Sequence, residues 1–269
     1  MSDPPLQPAR PAMASGLREL ASAIGALLAA LFLPDRGVPP LVAGARFRLA
    51  LVVVIAAAVL AAAAGAARLD LGPEVRAENA ERHPISSTER ARPGTAPGAG
   101  SGSADDLAEV KTDQQLHDEI AKRTAVMEVK LGLGAVLGTP FQILLIACFL
   151  YVLGAYVGGK PTFGRALAAA SVGALPWAVR SLVAAAAAWR QTAVRAADLD
   201  RLVGARLSVG ADHPLLARLA GRVDLFALWA VVLWGFGLAA AAGLGRARAM
   251  VTVVVGFTLY VLISTAGAR

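Results

Sequence analysis

Residues 223–245 read VDLFALWAVVLWGFGLAAAAGLG. After its single acid, Asp224, this stretch contains only apolar and small residues. A helical run of about 20 such residues is long enough to cross the hydrocarbon core of a bilayer, which is about 30 Å thick. The stretch therefore predicts a transmembrane helix with one carboxylate, that of Asp224, at its membrane end.

The composition of the whole chain agrees with a membrane protein. Of its 269 residues, 57% are hydrophobic and 17% are charged, and the mean hydropathy is +0.59; these values are typical of the membrane class. The net charge of +7 comes mostly from arginines that flank apolar runs. Nucleic-acid binding would need a basic stripe with interleaved aromatic residues. The sequence lacks one, so we expect no nucleic-acid partner.

Four further apolar runs are long enough to span a bilayer, at residues 47–67, 133–157, 166–189 and 249–266. With the opening stretch they predict an all-α membrane protein, a bundle of five transmembrane helices. Residues 132–269 are predicted to form a four-helix membrane domain that follows the first span.

The remaining segments are predicted from their composition and spacing. Residues 1–16, rich in Pro, Ala and Ser, are predicted to be a disordered tail. Apolar residues at helical spacing over 17–33, before Pro34, predict an interfacial amphipathic helix that lies on the membrane. The polar segment 68–130 is predicted to hold a low-complexity linker at 92–104. It also holds a helix at 112–131, capped by Thr112, that continues into the second span.

The distribution of basic residues predicts an orientation. Placing the N-terminus inside and the C-terminus outside puts the short basic loops that contain Lys160, Arg165, Arg246 and Arg248 on the cytoplasmic side, as the positive-inside rule expects. The arginine-rich segment 190–222 then falls outside, against the rule.

The third span contains two residues that a simple anchor would avoid, Pro176 and Arg180. A proline inside a helix removes a hydrogen bond, so we expect a kink. An arginine near the centre of a membrane helix costs about 2.5–3.5 kcal/mol on insertion scales, so Arg180 should reach the interface or an anion. The predicted topology places Arg180 and Asp224 in the same leaflet. Two arrangements stay open: an Arg180–Asp224 ion pair, or two residues that reach the interface separately, with Asp224 capping its helix.

The sequence contains no recognisable set of residues for catalysis or metal binding. The single cysteine, Cys148, lies in an apolar run and cannot form an intramolecular disulfide. The histidines, His83, His117 and His213, are far apart and have no second ligand nearby. There is no Ser/His/Asp set and no phosphate-binding glycine loop. We therefore predict that the protein is not an enzyme and holds no cofactor or metal.

The spans carry an ordered set of motifs: a KPTFG loop at 160–164, Pro176, a DLFxLW motif at 224–229, and the pair Gly235 and Gly237. Together they resemble the Yip family, polytopic membrane proteins named for their interaction with Ypt/Rab GTPases in eukaryotes, with many bacterial members. The resemblance is closest over residues 130–266. The candidate functional or structural residues are Lys160, Pro161, Pro176, Arg180, Asp224, Phe226 and Trp229.

The chain departs from the family in one respect, because about 60 residues follow the first span where family members usually have a short loop. Its Ala, Arg and Gly content indicates a GC-rich bacterium, so the resemblance implies the bacterial branch and GTPase binding is not carried over. We expect a non-catalytic membrane scaffold in the bacterial cytoplasmic membrane. Its partners would be the lipid bilayer and other membrane proteins, and homo-oligomerisation is left open. The alternative is a small transporter or channel with a polar path near Arg180 and Asp224.

Overall fold

The structure, a computed structural model, describes residues 12–44, 47–82, 113–194 and 224–266. Its helices are α1 (Ala12–Phe32), α2 (Pro34–Ala43), α3 (Phe47–Ala66), α4 (Gly72–Arg82), α5 (Asp113–Leu133), α6 (Thr139–Tyr156), α7 (Phe163–Gly173), α8 (Leu175–Arg190), α9 (Leu225–Ala242) and α10 (Arg246–Ala266). A π-helical turn, Gly134–Gly138, joins α5 to α6. Apart from an isolated bridge between Leu69 and Val194, the described ranges contain only helices as regular structure.

Five stretches are long and apolar enough to cross a membrane: Phe47–Ala66, Gln114–Tyr156, Phe163–Arg190, Leu225–Ala242 and Arg246–Ser264. The prediction of an all-α protein with five membrane helices is confirmed. The predicted linker at 92–104, the Thr112 cap and most of the segment 190–222 lie outside the described residues. So do residues 1–11, but α1 already begins at Ala12. The predicted tail is therefore too long by five residues, because Ala12, Met13 and Ala14 are good helix formers.

Helix α9, formed by the opening stretch, lies at the centre of the bundle. It packs against α2, α6, α7, α8 and α10, and its Leu233 and Leu238 are fully buried. At Gly237 a Cβ atom would lie only 2.8 Å from Cβ of Ala169, so the missing side chain lets α7 and α9 approach closely. The helix ends at Gly243, whose φ of 67° is in the left-handed region that glycine adopts without strain.

Helix α2 is an element that the sequence did not predict. Helix α1 ends at Phe32, before Pro34, as expected, and Pro34 itself lies in the first turn of α2, where a missing N–H costs little. The chain reverses at Leu33, and Gly37 lies so close to the backbone of Ala30 that a Cβ there would be 2.2 Å from its nitrogen. Buried residues of α2, among them Val38 and Leu41, belong to the main core and pack towards α7 and α9.

The third span is two helices rather than one kinked helix. Helix α7 ends at Gly173 and α8 begins at Leu175, with a turn at Ala174 between them. Pro176 is buried in the first turn of α8, where no intrahelical partner is expected for its nitrogen. The predicted kink from a lost hydrogen bond inside the helix is therefore wrong, because Pro176 starts a new helix.

The polar segment contains α4, which the sequence also did not predict, and α5. Arg123 of α5 lies 2.5 Å from Glu78 of α4 and 2.6 Å from Glu119 one turn earlier in α5. Helix α5 then continues through the π-helical turn into α6, and Gln114–Tyr156 makes one helical stretch of 43 residues. The second span is thus the membrane end of a helix that begins in the polar segment.

Candidate functional site

Asp224 links the start of α9 to α8. Its Oδ1 accepts a hydrogen bond from the backbone N–H of Ala227 at 2.6 Å, as an N-cap residue does. Its Oδ2 lies 3.3 Å from Nη1 of Arg180. The Asp224 side chain is 11% exposed and that of Arg180 33% exposed. Of the two arrangements left open by the sequence, Asp224 thus combines parts of both: it caps its helix and it pairs with Arg180.

The ion pair with Asp224 explains how Arg180 is accommodated in a membrane span. Arg180 lies about one turn after Trp177 in α8, opposite the N-cap residue of α9. The carboxylate of Asp224 supplies the counter-charge that the guanidinium lacks in a hydrocarbon surrounding. Because both groups keep some exposure, the contact joins α8 to α9 without burying two charges completely.

About one turn before Arg180 in α8, Trp177 makes a contact that sequence reasoning missed. The indole rings of Trp177 and Trp234 meet edge to face, with centroids 5.4 Å apart and planes at 81°. Nε1 of Trp234 donates to the carbonyl oxygen of Ala170 at 3.4 Å. A Cβ atom on Gly173 would lie 1.9 Å from Cδ1 of Trp234, so the ring occupies the space that the glycine leaves. In the sequence, the run of small residues in α7 was the feature that indicated close packing at this place.

Trp229 connects α9 to the N-terminal hairpin. Its Nε1 donates to the carbonyl oxygen of Leu31 at 3.1 Å, and its ring lies 6.2 Å from that of Phe32. Carbonyls in the last turn of a helix have no intrahelical partner, so Trp229 satisfies one at the end of α1. Phe226 is buried, at 9% exposure. The placement of α1 on the membrane surface stays a prediction, while its C-terminal end is fixed to α9.

Lys160 and Pro161 lie at the other end of α9. The backbone N–H of Lys160 donates to the carbonyl oxygen of Ala242 at 3.1 Å, and Pro161 packs at Gly154. Helix α9 has 18 residues, so about 27 Å separate its two ends. Six of the seven candidate residues therefore form two groups, and the seventh, Pro176, lies apart in the first turn of α8. Arg180, Asp224 and the two aromatic residues of the DLFxLW motif lie towards the first turns of α9, and the KPTFG loop closes its C-terminus.

A cleft of about 700 Å³ adjoins the ion pair, between α3, α6, α8, α9 and α10. We call it the Arg180 cleft. Its polar lining residues are Thr139, Gln142, Arg180, Ser181, Asp224, Tyr260 and Ser264. The described ranges contain no cluster of three or more His, Cys, Asp or Glu that could hold a metal ion. The arrangement offers binding contacts, namely one cation, one anion and several hydroxyl and amide groups, beside an apolar volume.

The model of the Yip1 domain matches residues 31–267, most of the chain. The chain belongs to the Yip family. A search of curated proteins and a search of solved structures each gave no significant match.

The Yip1 match covers more of the chain than the sequence motifs do. The match begins within α1 and includes α2 and α3, whereas the resemblance in the motifs was closest only from residue 130 onwards. The Yip1 domain thus includes all of α2 but only the last two residues of α1, and residues 12–30 of α1 precede it. With its five apolar helices, this Yip-family chain is an integral membrane protein.

Proposed function

We propose that this Yip-family protein is a non-catalytic membrane scaffold that acts through contacts with other membrane proteins. The observation that carries the proposal is the long helix of 43 residues, Gln114–Tyr156, which continues from the membrane span into the polar segment. The part from Asp113 to Lys130 adds about 27 Å of helix beyond the apolar part. A partner protein would bind there to a helical surface of fixed shape, not to a flexible loop.

Contacts within the polar segment support a surface of fixed shape. Arg123 bridges Glu78 of α4 and Glu119 of α5, so α4 is held beside α5. On α5 the side chains of Val126 and Val129 are 50% and 60% exposed. Exposed apolar side chains among charged neighbours are the pattern of a small protein contact surface with a polar rim. In the orientation that we propose, N-terminus inside and C-terminus outside in a bacterial cytoplasmic membrane, this surface faces outwards.

The alternative, a transporter or channel with a polar path at Arg180 and Asp224, has less support. Both oxygens of Asp224 have a partner, the N–H of Ala227 and the guanidinium of Arg180. A carboxylate that caps a helix and joins two helices is engaged in holding the bundle together. No residue in the described ranges combines with it into a catalytic set, and we propose that the protein has no enzymatic activity.

Site-specific photo-crosslinking in native membranes tests the scaffold proposal. Val126 is replaced by photoreactive benzoyl-phenylalanine, and Val152, a valine of the same helix that is 62% exposed in its apolar part, serves as the matched control. We expect a discrete protein adduct from position 126 and none from position 152. An adduct of twice the chain mass would identify a second copy as the partner. The absence of any protein adduct at position 126, with the protein present at its normal level, would contradict the proposal.

A further inference from the structure

The Arg180 cleft has the chemistry of a lipid site. We propose that it binds one zwitterionic phospholipid, with the phosphate on Arg180, the ammonium group on Asp224 and an acyl chain in the apolar part of the cleft. The site lies in the membrane domain and is separate from the surface of α5, so it can be tested independently of the scaffold function.

The cleft changes from polar to apolar along α8 and α9. Arg180, Ser181 and Asp224 line one end, and Trp177 and Trp234 line the part towards the middle of the bundle. The edge-to-face contact places the rings of Trp177 and Trp234 at one level of the bundle. On α8, Arg180 follows Trp177 by only three residues, about 4.5 Å, so its long side chain reaches along the cleft to Asp224. Asp224 and Trp234 are ten residues apart in the sequence, which is about 15 Å along a helix. This is half of the roughly 30 Å hydrocarbon core, the depth of one leaflet.

The lining of the cleft also changes from polar to apolar along α6 and α10. Gln142 precedes Phe149 along α6, and Ser264 follows Phe257 along α10, all four lining the cleft. A Cβ at Gly256 would lie 2.7 Å from the Phe149 ring, so the apolar residues of the two helices meet at one level. Because α7 and α8 cross back after α6, the start of α6 and the end of α8 lie on the same side. The hydroxyl and amide groups are therefore at the Arg180 end.

The cleft is open to the surroundings of the bundle. Leu145, Phe149 and Tyr260, all of which line it, are 53%, 42% and 60% exposed. These residues belong to spans that would contact hydrocarbon in a bilayer, so a lipid could enter sideways. The volume of about 700 Å³ falls within the range of about 300–1,000 Å³ that is usual for ligand sites.

The charges at the polar end favour a zwitterion. Arg180 has five N–H donors, and its only partner among the described residues is Asp224, at 3.3 Å through Nη1. The unused donors suit a phosphate, which arginine binds in a forked geometry. Each oxygen of Asp224 can accept one further hydrogen bond, which suits an ammonium group. An anionic headgroup would satisfy Arg180 but meet the negative charge of Asp224.

Native mass spectrometry of the full chain in detergent tests the proposal by titration with phosphatidylethanolamine and, separately, phosphatidylglycerol. We expect phosphatidylethanolamine to bind with one-to-one stoichiometry and about tenfold more tightly. Arg180→Gln should weaken this binding about tenfold, as expected for the loss of one charge-assisted hydrogen bond. Arg190→Gln is the matched control, because Arg190 is an exposed arginine at the end of the same helix, and it should bind as the wild type does.

A second variant keeps the ion pair and fills the cleft. Ala184 lines the cleft and Ala186 is exposed on the same helix, so Ala184→Leu should weaken lipid binding while Ala186→Leu should not. This pair decides the question even if Arg180→Gln fails to fold. Equal binding by Ala184→Leu and Ala186→Leu would overturn the proposal, as would tighter binding of phosphatidylglycerol. A second protein chain that is held by the wild type and lost with Ala184→Leu would show that a helix, not a lipid, occupies the cleft.

Discussion

The substitution Gly173→Ala tests the packing of α7 on α9 where the structure is tightest. The new Cβ would lie 1.9 Å from Cδ1 of Trp234, while ordinary contacts begin at 3.4 Å, so the ring would have to retreat by 1.5 Å. Overpacking of this kind costs about 1–3 kcal/mol. The movement also disturbs the edge-to-face contact with Trp177, which contributes about 0.5–1.5 kcal/mol. We therefore expect a destabilisation of about 3 kcal/mol.

The measurement is thermal unfolding of the purified protein in detergent, followed by tryptophan fluorescence. A loss of about 3 kcal/mol should lower Tm by about 6–12 °C for a chain of this size. Gly164→Ala is the matched control, because Gly164 lies in the same helix and a Cβ there would meet nothing within 4 Å; Tm should stay constant or rise slightly. Partial recovery in Gly173→Ala/Trp234→Val would assign the loss to this contact. Equal Tm values for Gly173→Ala and Gly164→Ala would refute the packing described for α7 and α9.

Two further substitutions separate the roles of the motif residues in α9. Asp224→Asn should keep the helix cap and lose only the charge opposite Arg180, whereas Asp224→Ala should be about 1 kcal/mol less stable because it also loses the cap; equal Tm values for the two variants would show that the cap contributes nothing. Trp229→Phe keeps an aromatic ring but removes the hydrogen bond to Leu31, so hydrogen exchange at the α1–α2 junction should become faster while Tm changes by at most a few degrees. Unchanged exchange there would mean that this bond does not hold the hairpin in place.

Hydropathy predicted the five spans because crossing a bilayer imposes a length and a composition on each segment separately. Rules that consider one helix at a time were less informative where packing between helices determines the structure. Helix α2 contains Pro39 and Pro40, which argue against a helix, yet its Val38 and Leu41 are buried against the rest of the bundle. Pro176 was correctly singled out, but the sequence could not show that the helix ends before it and starts again.

The sequence predicted only the part of the candidate site that follows from the order and direction of the spans. Arg180 and Asp224 could be placed in one leaflet by counting spans, and the structure brings them to 3.3 Å. The partner of Trp229 could not be predicted, because Leu31 is 198 residues away in the sequence and its backbone carbonyl leaves no signal in residue type. The volume and lining of the Arg180 cleft likewise depend on how five helices pack together.

We expect the Arg180–Asp224 pair to hold α8 and α9 together and not to line a transport path. Flux of H⁺, Na⁺ and K⁺ into proteoliposomes tests it most directly, with wild type, Asp224→Asn and protein-free vesicles compared at equal lipid content. We expect the same background flux in all three. Flux that is carried by the wild type and lost in a folded Asp224→Asn protein would contradict it.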